Sequence, residues 1–367
     1  MSKHLTAPAT IGGLHLAHRI VMAPLTRMRA DQQSDVPGPL MVEYYGQRAS
    51  QGGLIITEAT TISPTARGYL GAPGLYTEAQ VAGWRKVTDA VHAKGGRIFA
   101  QLWHVGRVSH VDLAAGAAPI APSAVTFEGM AYTANGWVPV SLPRALEVPE
   151  IPALLADYRR SAEHAKAAGF DGIEIHAGNG YLLDQFLQDG TNKRTDLYGG
   201  SVENRARLLF EVLDAVIPVW GADKVAIRVS PSSQFQEMFD SNPTALFSHV
   251  GERARTYGLA YVHVIEPRIK GNQEVGEDLP PVAAGLLKRS FKGTVIAAGG
   301  FDPTSAEAII AAGDADLVAF GRHFIANPDL PKRISEGLPF NRYDRDTFYG
   351  GDHRGYTDYP FYGQAAC

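Results

Sequence analysis

Three side chains that can bind a carbonyl oxygen and supply a proton lie close together in the sequence: His176, Asn179 and Tyr181. They follow an apolar, β-branched run, Gly172–Ile175, at the point where the pattern predicts that a strand gives way to a loop. An imidazole and an amide can donate hydrogen bonds to an oxygen, and a phenol can offer a proton beside it. These residue types therefore indicate a site that could polarise a carbonyl group, depending on what lies opposite them.

The remaining chain mostly alternates between short β-rich runs and helical patterns. The predicted strands are Ile20–Ala23, Leu54–Glu58, Arg97–Leu102, Gly172–His176, Val225–Val229, Tyr261–Ile265, Val295–Ala298 and Leu317–Phe320. The predicted helices are Val81–Ala93, Pro152–Ala168, Val202–Val216, Thr244–Thr256, Pro281–Arg289 and Pro303–Ala312. Nearly continuous apolar strands that alternate with helices are typical of a parallel sheet covered on both faces. Eight of them predict an α/β fold, a single (β/α)8 TIM barrel that forms one domain over residues 1–367.

Three segments extend beyond these β/α units. Thr10–Leu16 alternates around a Gly-Gly pair and predicts an N-terminal hairpin. Val105–Pro149 is too long for an ordinary loop, so we expect it to form a lid after the third strand, with strands of its own. The C-terminal tail is rich in aromatic residues, and we therefore expect it to dock on the barrel. These tail residues are Phe348, Tyr349, Tyr356, Tyr359, Phe361 and Tyr362.

Composition excludes several classes of protein. The 34 Lys and Arg residues against 38 Asp and Glu residues give a net charge of -4, without a block of like charge, which argues against nucleic-acid and anionic-membrane partners. The single cysteine, Cys367, allows neither a disulfide framework nor a thiolate metal cluster. The N-terminus lacks the apolar run of a signal peptide, and no segment approaches 18 consecutive apolar residues. We therefore expect a cytoplasmic protein.

Two glycine-containing turns could bind phosphate. The seventh predicted strand is followed by Gly299 and Gly300, and the eighth by Gly321 and Arg322. In a TIM barrel these positions commonly bind phosphate through backbone N–H groups, and an arginine can donate two hydrogen bonds to phosphate oxygens. The alternative is that the glycines only form tight turns and that Arg322 lies at the surface.

Other strand ends carry Gln101, Arg228 and Thr26, which suit a planar heterocycle such as a flavin. Gln101 could pair with the pyrimidine edge, Arg228 could stabilise negative charge near N1 and O2, and Thr26 could bond to O4. Each also has a structural alternative. Thr26 could cap a helix, Arg228 could belong to a buried ion pair, and Gln101 could be a hydrogen-bonded core amide.

Three other chemistries have weaker support. A metal site at His176 and Asn179 would lack a recognisable ligand set, since neither H-x-H nor H-E-x-x-H occurs. A serine hydrolase would require G-x-S-x-G, which is missing. A Schiff-base aldolase would need a lysine near a strand end, and Lys270 is the nearest candidate.

The chain resembles the old yellow enzyme family in seven motifs that occur in the same order, from about residue 5 to the C-terminus. Within that family it is most similar to the bacterial ene-reductases, of the N-ethylmaleimide and nitroester reductase type. The motifs are Met22–Arg27, Gly53–Ala59, Ala100–Arg107, Gly169–Leu182, Asn192–Arg205, Ala319–Arg322 and Gly355–Pro360.

The resemblance implies a non-covalently bound FMN and assigns roles by matching motif. His176 and Asn179 would bind the carbonyl or nitro oxygen of the substrate, and Tyr181 would donate a proton. The substrate cavity would also be lined by Tyr69, Trp103, Gln236 and Tyr356. The FMN contacts would be Ala23, Pro24, Leu25, Thr26, Ala59, Gln101, Arg228, Gly299, Gly300, Gly321 and Arg322.

The implied activity is the reduction of the C=C bond of α,β-unsaturated carbonyl or nitro compounds. NADPH or NADH would reduce FMN and leave before the substrate binds, and nitrate esters could also be reduced. The loop 267–281 lacks an aromatic residue that covers the pocket in some relatives, which leaves the substrate range open. Two alternatives remain: a flavin-free sugar-phosphate lyase or isomerase on the same barrel, and a flavin-binding protein without turnover. The sequence does not distinguish a monomer from a homodimer.

Overall fold

The structure is a computed structural model, which describes residues 3–114, 116–270, 273–274 and 283–364. Its strands are β1 (Ala9–Ile11), β2 (Leu14–Leu16), β3 (Ile20–Met22), β4 (Leu54–Ile56), β5 (Thr60–Thr61), β6 (Arg97–Trp103), β7 (Ile120–Ala121), β8 (Met130–Thr133), β9 (Gly136–Pro139), β10 (Arg144–Ala145), β11 (Gly172–Ala177), β12 (Val225–Val229), β13 (Val262–Ile265), β14 (Ile269–Lys270), β15 (Gln273–Glu274), β16 (Val295–Ala298) and β17 (Leu317–Phe320). Its α-helices are α1 (Pro39–Arg48), α2 (Glu78–His92), α3 (Ile151–Ala167), α4 (Leu182–Leu187), α5 (Val202–Trp220), α6 (Pro243–Arg255), α7 (Ala284–Phe291), α8 (Pro303–Ala312), α9 (Arg322–Ala326) and α10 (Leu330–Glu336).

Eight parallel strands close into a barrel in the order β3, β4, β6, β11, β12, β13, β16, β17, with β17 pairing back to β3. The predicted TIM barrel and all eight predicted strands are therefore confirmed, with ends that differ by at most two residues. Strand register places Glu174 beside Gln101 and His176 beside Arg228. Side chains from widely separated parts of the sequence thus meet at the same level of the barrel.

Four helices were not predicted: α1, α4, α9 and α10. The six residues of α4 are all buried, so the segment has no polar face from which a helical period could be read. Helix α9 has only five residues. The six predicted helices are present, and α8 has the predicted bounds.

The N-terminal hairpin closes one end of the barrel. Its strands β1 and β2 pair antiparallel, as predicted, and bury Ile11 and Leu16 against residues from the barrel interior. These interior partners include Val21, Leu54, Ala226, Tyr261, Ile296 and Leu317. The hairpin therefore supplies an apolar floor, which leaves the opposite end of the barrel for a site.

The lid and the tail also have the predicted character. In the lid, β8 and β9 form an antiparallel hairpin, and β7 pairs parallel with β10. In the tail, Phe348 and Tyr356 are buried, so this segment is docked on the barrel. Within the described residues, no helix is both long enough and apolar enough to cross a membrane.

Candidate active site

A cavity of about 660 Å³ lies at the carboxyl ends of the barrel strands. It is walled by the barrel, by the lid hairpin and by the C-terminal tail. Of the site residues inferred from the sequence, sixteen line this one cavity. They are Ala23, Pro24, Leu25, Thr26, Ala59, Tyr69, Gln101, His176, Asn179, Tyr181, Arg228, Gln236, Gly299, Gly300, Gly321 and Arg322.

Two expected substrate contacts, Trp103 and Tyr356, do not line the cavity. Trp103 is fully buried behind its wall, where it stacks on Tyr69 at 5.9 Å and meets Tyr181 edge-on at 4.8 Å. Tyr356 is also fully buried and stacks on Tyr44 at 4.0 Å. The structure therefore gives both residues a supporting position, because packing against their neighbours covers their rings.

Other aromatic residues of the lid and tail take part in the wall and were not assigned to the site from the sequence. Tyr349 lines the cavity and contacts Trp137 of the lid, with 6.5 Å between the rings. The aromatic character of the tail was the signal for Tyr349, and a tryptophan in an otherwise small-residue lid was the signal for Trp137. The remaining aromatic residues of the lid and tail in this wall are Phe127, Tyr343 and Phe348.

The glycine turns at one end of the cavity leave room for an anion. Gly299 and Gly300 have φ values of 122° and 68°, a region that favours glycine. A Cβ atom on Gly299 would lie 3.1 Å from the Cβ of Glu266, and one on Gly300 would lie 3.3 Å from Ile269 Cδ1. Arg322 reaches the same cavity and donates a hydrogen bond from Nη1 to the Tyr343 hydroxyl at 3.3 Å. Backbone and guanidinium can therefore approach a phosphate together.

Gln101 and Arg228 line the same cavity from neighbouring parts of the barrel. The Gln101 amide donates from Nε2 to Glu174 Oε1 at 2.7 Å, so part of its hydrogen-bonding capacity is already used. The Nε of Arg228 is buried, and no partner for it lies within the described part of the chain. A buried, unpartnered guanidinium donor fits a ligand with an acceptor atom at this edge.

Thr26 caps no helix in the described structure, so the capping alternative for it is wrong.

His176 is a neutral hydrogen-bonding group. Burial lowers its pKa well below the usual range, and the nearby positive charge of Arg228 lowers it further. Its Nδ1 is buried, and the described residues offer it no partner. A neutral imidazole in this position can donate one hydrogen bond to a ligand oxygen, since one ring nitrogen carries a proton.

Asn179 is held in an unusual backbone conformation. Its φ is 56°, in the left-handed region that asparagine tolerates better than most residues. Its backbone N–H donates to Ser230 Oγ at 2.7 Å, and the N–H of Gly180 donates to Asp184 Oδ2 at 2.8 Å. These bonds fix the short loop between β11 and α4, which aims Asn179 into the cavity.

Tyr181 directly precedes α4 and lines the cavity. Burial raises the pKa of its phenol well above the usual range, and the neighbouring Tyr69 raises it further. An ordinary phenol already keeps its proton at neutral pH, and burial makes the Tyr181 phenol a still weaker acid. Tyr181 is therefore fully protonated at neutral pH.

The other chemistries gain no support from the described structure. No group of three or more His, Cys, Asp or Glu side chains in the described ranges could hold a metal ion. Lys270 belongs to β14, but its side chain lies outside the described part of the molecule. Much of the loop 267–281 and the residue Cys367 also lie outside the described residues.

Comparisons with known proteins agree with this geometry. Residues 4–341 match the model of the NADH:flavin oxidoreductase / NADH oxidase family. The chain is 48% identical to 12-oxophytodienoate reductase 1 of Oryza sativa subsp. japonica, over 97% of this chain and 93% of that protein. It is 50% identical to morphinone reductase in complex with tetrahydroNAD, with a TM-score of 0.90 and 97% of each chain covered. It is 43% identical to an old yellow enzyme homologue from Zymomonas mobilis, with a TM-score of 0.93, over 97% of this chain and 99% of that one.

Proposed function

This chain belongs to the old yellow enzyme family of NADH:flavin oxidoreductases, and we propose that His176, Asn179 and Tyr181 are the residues with which it reduces activated C=C bonds. The protein is an FMN-dependent, NAD(P)H-dependent ene-reductase. Bound FMN would supply the hydride chemistry that connects the nicotinamide donor with the alkene. The residues of the chain bind, orient and protonate the reactants.

The cavity wall fits FMN at both ends. Gly299, Gly300 and Arg322 would hold the phosphate, because the left-handed glycine backbone leaves the space that a Cβ atom would fill. Gln101 and Arg228 would hold the pyrimidine edge, and the buried Nε of Arg228 would gain the acceptor that it lacks among the described residues. Thr26 and the small residues Ala23 and Ala59 would border the ring.

His176 and Asn179 would bind the carbonyl or nitro oxygen of the substrate. Negative charge develops on this oxygen as hydride reaches the β-carbon, so donors placed in advance stabilise the transition state more than the ground state. The neutral state of His176 suits this role, because a neutral imidazole can donate a hydrogen bond to the oxygen without transferring its proton. Loss of one such donor typically costs about 10²–10³ in rate.

Tyr181 would protonate the α-carbon from the face opposite to the hydride. Its raised pKa keeps the proton on the phenol until a strongly basic carbon centre forms. Trp103 packs edge-on against Tyr181 and would hold the phenol ring in place.

The aromatic wall formed by Tyr69, Trp137 and Tyr349 favours flat, weakly polar substrates. We propose enones, nitroalkenes and nitrate esters as the substrate classes, with NADPH or NADH as the donor. We also propose a cytoplasmic location, which the single cysteine supports, and a monomeric or homodimeric state.

The observation that carries this function is the convergence of the His176–Tyr181 loop, the glycine turns and the Gln101–Arg228 edge on one cavity. The test begins with purified protein, which should be yellow with bound FMN. Under anaerobic conditions NADPH or NADH should bleach it, and cyclohexenone, a maleimide, a nitroalkene or a nitrate ester should restore the colour.

Two results would contradict the proposal. A colourless protein that binds no added FMN would favour the sugar-phosphate lyase or isomerase. A flavin that is bleached by NAD(P)H but reoxidised by none of these substrates would favour a flavin-binding protein without turnover.

A further inference from the structure

Glu174 is a fully buried carboxylate directly behind the cavity wall, and none of the proposed catalytic steps uses it. Both Glu174 and His263 have 0% of their surface exposed. They lie in one half of the barrel, where β6, β11, β12 and β13 supply the polar residues Gln101, Glu174, Arg228 and His263. On the other side of the barrel, β16 and β17 carry the small residues Ala298 and Ala319, and Ala23 directly follows β3. Burying a charged side chain costs free energy because the group loses its hydration. A buried carboxylate at this position therefore suggests a functional role.

The contacts of Glu174 determine the orientation of the Gln101 amide. Glu174 Oε1 accepts from Gln101 Nε2 at 2.7 Å, and Glu174 Oε2 accepts from His263 Nδ1 at 2.9 Å. An ionised carboxylate only accepts hydrogen bonds, so the NH₂ group of Gln101 must face Glu174. The amide carbonyl of Gln101 is then the atom left to face the cavity.

The charges around Glu174 keep it ionised. Burial alone would raise its pKa, but His263, Arg228 and the Gln101 amide more than offset this effect, and the pKa lies below its usual range. Burial lowers the pKa of His263, so that its imidazole is neutral and donates its Nδ1 proton to Glu174. Tyr261 also faces Glu174 as a neutral phenol, because burial and the Glu174 charge raise its pKa. A single negative charge therefore lies behind Gln101, with Arg228 as the nearby positive charge.

We propose that Glu174 is a positioning residue that orients the Gln101 amide toward the flavin and favours oxidised over reduced FMN. This inference rests on the proposed function. The Gln101 carbonyl would accept from the flavin N3–H, which is the hydrogen-bond donor of the pyrimidine edge. Accepting a hydride from NAD(P)H adds one negative charge to the flavin ring, and Glu174 opposes that charge while Arg228 favours it. The flavin consequently gives up hydride to the alkene more readily.

The test compares Glu174→Gln with His263→Asn. Glu174→Gln removes the negative charge of the carboxylate at nearly constant side-chain volume. His263→Asn keeps the Glu174 carboxylate and replaces the Nδ1 donor of His263 with an amide donor in a similar position. For each protein, the midpoint potential of bound FMN is measured by anaerobic equilibration with a reference dye. We expect the preference for oxidised over reduced FMN to fall by about tenfold in Glu174→Gln, an upward shift of about 30 mV for a two-electron couple. His263→Asn should shift the potential much less.

A second measurement uses the wild-type protein and keeps the proposal testable if Glu174→Gln does not fold. An FMN analogue methylated at N3 cannot donate to the Gln101 carbonyl, and we expect it to bind at least about tenfold more weakly than FMN. Equal affinity for the two flavins would overturn the orientation of Gln101. An unchanged potential in a Glu174→Gln variant that binds FMN would overturn the charge effect. In both cases the wild-type protein would still reduce alkenes, so these failures are distinct from failure of the proposed function.

Discussion

Burial keeps both His176 and Tyr181 uncharged, and it does so by shifting their pKa values in opposite directions. A buried imidazole loses its proton more easily and a buried phenol loses its proton less easily, because each avoids its charged form. The two residues therefore act as a neutral donor and a weak acid at the same pH. Their rings are 5.4 Å apart, so one substrate can contact both.

The Tyr181→Phe variant tests the proton donor. We expect alkene reduction to slow by about 10²–10⁴, the usual contribution of a general acid, because the phenol is the proposed source of the proton. Flavin reduction by NADPH or NADH should stay near normal, since that half-reaction needs no proton from Tyr181. Stopped-flow absorbance under anaerobic conditions separates the two half-reactions. Tyr69→Phe is the matched control, because it also loses the contact between the two phenols but keeps the Tyr181 hydroxyl. Equal loss in both half-reactions of Tyr181→Phe would show that the phenol has another role.

Asp184 should give the protein a pH-dependent stability. Burial raises the pKa of Asp184 to about 7, although Gln188, Gly180 and Ser230 all donate hydrogen bonds to it. The folded protein thus holds this proton more tightly than the unfolded chain. The resulting stability is complete below about pH 4 and is lost as the pH rises through 7.

The Asp184→Asn variant removes this titration. Relative to the variant, the wild-type protein should lose on the order of a few kcal/mol of unfolding free energy between about pH 4 and pH 8, with no further loss above that range. Melting temperatures of both proteins across this range provide the measurement. If the difference in melting temperature between the two proteins did not change with pH, Asp184 would not be the titrating group.

At the scale of elements, the C-terminal tail is part of the cavity and is tied to the loop after β3. The Arg27 guanidinium donates to the carbonyl oxygens of Phe348 at 2.8 Å and Gly355 at 2.7 Å. The backbone N–H of Arg27 donates in turn to Glu58 Oε2 at 3.0 Å, in the segment that follows β4. These bonds join the segments after β3 and β4 to the tail that supplies Tyr349.

Arg27→Met should loosen the tail while the barrel stays folded. The change keeps most of the side-chain volume but leaves the Gly355 carbonyl oxygen without the donor that Arg27 provides, at a cost of about 1–3 kcal/mol. We expect a lower melting temperature, faster proteolysis within the tail and weaker substrate binding. Arg354→Met is the matched control, because Arg354 lies in the same tail and its side chain is 75% exposed. A tail that is cleaved equally fast in both variants would mean that Arg27 does not hold it.

At the scale of the whole molecule, FMN should stabilise the barrel, because its proposed contacts come from strand ends on opposite sides of the barrel. A ligand that binds only the folded state contributes about 2.7 kcal/mol at 100 times its dissociation constant. Riboflavin has the same ring but no phosphate, so the glycine turns and Arg322 should not assist its binding.

We therefore expect FMN to raise the melting temperature of the apoprotein more than riboflavin does at equal concentration. Arg322→Met should reduce the difference between the two flavins. Thermal unfolding with each flavin, and with inorganic phosphate as a competitor, makes the comparison. Equal stabilisation by both flavins would contradict phosphate binding at the Gly300–Arg322 turns.

The sequence by itself was sufficient to predict the barrel, since each of its strands is a short apolar run whose period is visible locally. It was also sufficient to place fourteen of the sixteen cavity residues, because the carboxyl ends of parallel strands meet at one face of the barrel. The other two, Tyr69 and Gln236, were expected only from the resemblance to the family. Three of the four helices that were not predicted are short or fully buried: α9 and α10 have five and seven residues, and α4 is buried along its whole length, so none of the three shows a clear amphipathic period. Helix α4 is the clearest example.

The tertiary structure alone decided which side chains line the cavity. Tyr349, rather than Tyr356, lines the cavity because Tyr356 is covered by Tyr44, a contact between residues more than three hundred positions apart. Trp103 lies behind Tyr69 and Tyr181 for the same kind of reason. The protonation states of His176, Tyr181 and Asp184, and the position of Glu174 behind Gln101, depend on burial and on neighbours from other strands. Such properties are set by long-range packing, and no local pattern of residues contains them.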